Sequence, residues 1–118
     1  MPVFDSDQFH SLIDGDKELC AELLQLFNAD WPTLISGIRA AHQSGDAREI
    51  EKLGHRLKGN VRNFFAAKAA GIAGVIEQSG RDGTIDSVSA LTDELEAELK
   101  VLQVELDQYL QGLNKAAK

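Results

Sequence analysis

His55, Lys58 and Gly59 form the spacing with the clearest chemical content in this chain. On a helix of 3.6 residues per turn, positions i+3 and i+4 lie one turn from position i on the same face. Lys58 and Gly59 therefore stand beside His55. Imidazole near neutral pH is a nucleophile that needs no strong base. A neighbouring ammonium can balance the charge of an anion bound to it. The missing side chain of Gly59 leaves room beside the ring. Such a group is suited to accept a phosphoryl group, a transfer that depends mainly on positioning and charge stabilisation.

The surroundings of His55 carry the same sign of charge. Arg48, Lys52, Lys58 and Arg62 fall near it on the helical face, and Arg56 follows it directly. Residues 48–68 hold six Lys or Arg and two Asp or Glu, a balance of +4, while the whole chain carries −7. A basic island on an acidic chain points to a local anion. Gly54 and Gly59 both lie inside the expected helix, where each costs roughly 1 kcal/mol relative to alanine. Close packing by a neighbouring helix would account for Gly54, but accounts less well for the outward-facing Gly59.

The elements that must hold this face are helical. Two prolines and few β-branched runs among 118 residues favour helix over sheet. Residues 5–13 read as a short leading helix capped by Asp5 or Ser6, and Asp14-Gly15-Asp16 as a turn and cap. A long helix follows from Lys17 to about Gln43, with an expected inward stripe of Leu19, Leu23, Phe27, Leu34, Ile38 and Ala41. Trp31-Pro32 predicts a kink in it. Asp46 caps a helix from Ala47 to about Phe65, whose stripe is Ile50, Leu53, Leu57, Val61 and Phe64. His55 lies between Leu53 and Leu57 and so points away from that stripe. Residues 67–78 form an Ala- and Gly-rich helix with Ile72, Val75 and Ile76, residues 79–83 a loop, and about Ile85 to Leu113 the last helix. The expected architecture is all-α: an antiparallel four-helix bundle with a short N-terminal helix, as one domain over residues 1–118.

Several function classes fit poorly. The net negative charge argues against a general nucleic-acid binder. The one cysteine, Cys20, has no disulfide partner, is expected to be half-buried, and no Cys/His cluster has metal-site spacing, so no metal is expected. No apolar run reaches the length of a membrane span, and the N-terminus does not resemble a signal peptide; a cytoplasmic location is expected. There is no GxxxxGK[ST] phosphate loop, and no acidic cluster is placed for Mg²⁺. The chain thus suits a phosphoryl carrier without kinase activity of its own, and without a cofactor. An orienting carboxylate for a general-base enzyme is not visible in the pattern. His10 and His42 read as surface residues.

His55-Arg56-Leu57-Lys58-Gly59 resembles the H-x-L-K-G motif of the histidine-phosphotransfer (HPt) family, and Asn63 matches a further position common in it. The layout of residues 23–54 is similar to the family's helix–GD–helix approach, and the resemblance covers about residues 5–110. It implies a four-helix bundle with an exposed phosphoacceptor histidine. It implies exchange of phosphate between His55 and an aspartate of a response-regulator receiver domain, fed by a sensor (hybrid) histidine kinase. The receiver would bring the Mg²⁺. Lys58 would neutralise phosphate charge and Gly59 would give access; the basic residues Arg48, Lys52, Arg56 and Arg62 read above from charge and spacing, with Asn63, are the candidate contacts to that partner. Arg62 and Phe65 stand where the family commonly has small residues. A free-standing, monomeric shuttle is expected; the alternative is an adaptor that binds a receiver or kinase without carrying phosphate.

Overall fold

The computed structural model describes residues 3–116, and its regular elements among these are five helices. They are α1 (Ser6–Ile13), α2 (Lys17–Ser44), α3 (Ala47–Arg62), α4 (Ala67–Asp82) and α5 (Val88–Ala116). Three begin where an aspartate accepts from backbone N–H groups that lack helical partners. Asp5 accepts from Gln8, Asp16 from Glu18 and Leu19, and Asp46 from Glu49. Asp14, Gly45 and Gly83 end their helices in the left-handed region, with φ of 52°, 72° and 75°.

The four long helices form a closed ring of neighbours: α2 packs on α3, α3 on α4, α4 on α5 and α5 on α2. This is the antiparallel bundle that short connections favour. The α3 stripe of Ile50, Leu53, Leu57 and Val61 is buried throughout. Each such side chain contributes roughly 1.5–3 kcal/mol of hydrophobic stabilisation. Leu95, Leu99, Leu102 and Leu106 of α5 are fully buried opposite them.

The expected elements differ from the observed ones in three places. α2 turns Cys20 and Leu24 inward, while Leu19 is 36% exposed and Leu23 only half-buried. Adjacent apolar pairs offered two stripes, and packing selects the one continuous with Phe27, Trp31 and Leu34. α2 runs through Pro32 as one helix, the continuous span expected from Lys17 to about Gln43. α3 stops at Arg62, because Phe65 adopts φ 56° and its N–H turns back to the Arg62 carbonyl. α4 continues to Asp82, so residues 79–82 of the loop expected at 79–83 are its last turn, and α5 starts at Val88.

At 16 residues each, α3 and α4 are much shorter than α2 with 28 and α5 with 29. α1 covers part of the overhang. Phe9 packs on Phe64 and Tyr109 with ring centroids 5.4 and 5.5 Å apart, and the Asp5 N–H donates to the Phe65 carbonyl at 3.1 Å. Cys20 is fully buried, not half-buried, and burial pushes its thiol pKa up, which keeps it protonated and unreactive. His10 is exposed, and its Nδ1 lies 2.6 Å from the Tyr109 hydroxyl; His42 is half-buried. No described helix is long and apolar enough to cross a membrane.

Candidate functional site

His55 sits in the middle of α3, and its side chain is 69% exposed. Its neighbour Gly54 points the other way, into α4. A Cβ on Gly54 would lie 2.9 Å from the Glu77 backbone nitrogen and 3.1 Å from its Cα. One turn further along α4, a Cβ on Gly80 would lie 2.7 Å from the Ala47 carbonyl oxygen and would collide with the Glu51 backbone nitrogen. Two glycines, one on each helix, therefore bring α3 and α4 into backbone contact. The reason for Gly54 is this packing.

The close crossing brings Glu77 under His55. The Glu77 side chain is only 8% exposed, and its Oε2 lies 2.9 Å from His55 Nδ1. A carboxylate can only accept, so Nδ1 carries the proton and donates it. The Nε2 of a neutral ring so held carries the lone pair, turned away from Glu77. Oε1 of Glu77 lies 2.6 Å from Lys58 Nζ, and Oε2 also receives Arg81 Nη2 at 3.3 Å. Arg81 is braced in turn by Glu51, 3.0 Å from its Nε. The bond from Lys58 holds the Glu77 carboxyl below its ordinary pKa; the His55 bond adds to this, and burial opposes it.

Glu77 is the site residue that the sequence reading missed, and it supplies the orienting carboxylate that the pattern did not reveal. A signal for it existed. Glu77 follows Ala73 by four residues and precedes Gly80 by three, which places a lone acid on the buried Gly/Ala face of α4. Lys58 is held by the same carboxylate: its ammonium pairs with Glu77 and its side chain is 22% exposed.

The other expected residues divide into groups. Arg48, Lys52 and Arg56 share with His55, Glu51, Glu77 and Arg81 a shallow groove of about 480 Å³. Arg62 lies on the other side, with Lys58, in a second groove of about 620 Å³. Asn63 is the C-cap of α3 and borders a third, smaller hollow with Leu26 and Phe64, away from both grooves. Among the described residues Arg48, Arg56 and Arg62 make no ion pair, while Lys52 only reaches Glu49 at 4.0 Å. Around Gly59 nothing lies within 4 Å of where a Cβ would stand, so its space is open to solvent. No group of three or more His, Cys, Asp or Glu among the described residues is placed to hold a metal ion.

The arrangement provides an exposed imidazole with a fixed proton, a free nitrogen and cations on both sides. A family profile described as Hpt domain matches residues 22–105. Among solved structures, the crystal structure of histidine-containing phosphotransfer protein B (HptB) from Pseudomonas aeruginosa PAO1 is similar, with a TM-score of 0.86 and 28% sequence identity over 93% of this chain and 96% of that one. No curated protein matches the chain.

Proposed function

Because the chain belongs to the Hpt domain family, whose work is histidine phosphotransfer in phosphorelays, we propose that His55 is its phosphoacceptor and exchanges a phosphoryl group with an aspartate of a receiver domain. The observation that carries this reading is the pair His55–Glu77. The buried carboxylate takes the Nδ1 proton and leaves an exposed Nε2 lone pair. In the forward step that lone pair attacks the phosphorus of the aspartyl phosphate. The N–P bond forms, the acyl O–P bond breaks, and the electron pair leaves with the aspartate carboxylate. The ring gains positive charge as it reacts, and Glu77 stabilises that charge through the Nδ1 proton. Lys58 moves from Glu77 to the phosphoryl oxygens, while Arg81 stays on the carboxylate it leaves. Gly59 admits the partner's backbone beside the ring. Mg²⁺ bound by the receiver would neutralise charge on the transferring group.

The chain itself acts as a carrier, not a kinase. Its partners are a receiver domain and a sensor histidine kinase, and it works as a cytoplasmic monomer. Arg48, Lys52, Arg56 and Arg62, which line the two grooves beside His55, contact the receiver. The test is transfer from a Mg²⁺-loaded, phosphorylated receiver domain, with His55→Gln alongside. Acid-labile phosphate on the wild type and none on the variant is the expected result. Binding without transfer, across several receivers, would overturn the carrier reading in favour of a non-catalytic adaptor.

A further inference from the structure

The groove of about 620 Å³ on the Lys58 side of His55 has a floor of Ala66, Ala67, Ala70, Gly71 and Gly74 and a rim that includes Lys58 and Arg62. Three observations bear on its occupant. The groove is continuous with the phosphoacceptor face, since Lys58 lines it and also binds the carboxylate that holds His55. A partner that reaches Nε2 therefore stands at its mouth. Arg62 is exposed and without an ion pair among the described residues, on a chain of net charge −7. That unbalanced cation selects an acidic occupant. Gly71 lies mid-helix in α4, yet nothing in the chain comes within 4 Å of where its Cβ would be. Glycine is the poorest helix former after proline. Unlike Gly54 and Gly80, Gly71 has no packing reason inside the molecule.

We propose that this groove seats an acidic, apolar-tipped segment of the receiver domain, with Arg62 and the bare backbone at Gly71 as its specificity determinants. This rests on the carrier reading of His55. The receiver's carboxylate meets Arg62, and its apolar side chain lies on the alanine and glycine floor, where a methyl group at residue 71 would stand in its way.

The test uses the receiver domain that phosphorylates the wild type fastest from a panel loaded with acetyl phosphate and Mg²⁺. Transfer is measured for wild type, Gly71→Ala, Arg62→Glu and, as a control remote from the groove, Gly112→Ala. Loading wild-type His55 with phosphoramidate, with release of ammonia, tests the phosphoacceptor reading separately. Gly71→Ala should melt no lower than wild type, because alanine favours helix. Yet Gly71→Ala and Arg62→Glu should each raise KM about tenfold with little change in kcat, the worth of one lost contact to a charged or closely packed group. Unchanged KM in both, with wild-type transfer intact, would overturn the groove but leave the carrier reading standing. A dimer of the wild type that Arg62→Glu abolishes would assign the groove to a second copy and also overturn it. Failure of wild-type His55 to take phosphate from any receiver or from phosphoramidate would remove both readings.

Discussion

His55 Nδ1 and Glu77 Oε2 lie 2.9 Å apart across the contact between α3 and α4, although 22 residues separate them in the chain. This single bond selects which ring nitrogen is free.

Glu77→Ala should therefore slow phosphotransfer about tenfold or more, the scale of a hydrogen bond to a charged acceptor at ~1.5–3 kcal/mol. Glu77→Gln keeps an acceptor for Nδ1 and should stay closer to wild type. Nitrogen NMR of the ring provides the direct check. Wild type should hold its proton on Nδ1, and Glu77→Ala should show a mixture of tautomers. An unchanged ring and rate in Glu77→Ala would refute the positioning role.

Lys58→Met separates charge stabilisation from positioning. His55 and Arg81 remain on Glu77. The ring should keep its tautomer while transfer falls by about tenfold, because a cation that stabilises developing charge is lost. A shifted tautomer would show that Lys58 acts on His55 through Glu77 instead.

Two glycine-to-alanine changes should have opposite effects on stability. Gly80→Ala pushes a methyl into the Ala47 and Glu51 backbone. Overpacking of this kind costs about 1–3 kcal/mol, and α3 should separate from α4 with a lower Tm. Gly59→Ala meets nothing within the chain, so it should stabilise α3 by up to ~1 kcal/mol. Transfer should nevertheless slow, because the methyl occupies the space beside the imidazole. Thermal melts and transfer rates on the same two proteins decide the point.

Stability should fall in acid partly through Glu77. Its carboxyl is held below the ordinary value of 4.5, chiefly by Lys58. A lowered pKa in the folded state adds stability that is fully present above the unfolded value and lost as pH falls through the folded one. Denaturant midpoints measured from about pH 6 downward should therefore fall less steeply in Glu77→Gln than in wild type. Equal slopes would show that Glu77 titrates normally.

The sequence made α3 legible because its apolar spacing has one solution: Ile50, Leu53, Leu57 and Val61 are all buried and His55 is exposed. The first half of α2 was less legible. Leu19 and Cys20, like Leu23 and Leu24, are adjacent apolar pairs, and only contact with the other helices decides which of each pair turns inward. Glu77 required something that no single helix encodes, namely the register of α4 against α3. The two glycines that set that register were visible, but Gly80 read as loop because Ser79-Gly80-Arg81-Asp82-Gly83 has the composition of one. The commitment of Lys58 to Glu77 was hidden for the same reason.

The backbone contact at Gly54 and Gly80 has a consequence for timing. A surface histidine normally samples several rotamers, and a partner must freeze one of them on arrival. Here the ring is anchored to a carboxylate whose own position is set by main chain against main chain. The bond to Glu77 restricts the ring once the bundle folds, so on the carrier reading proposed above an arriving phosphorylated partner meets an imidazole already oriented.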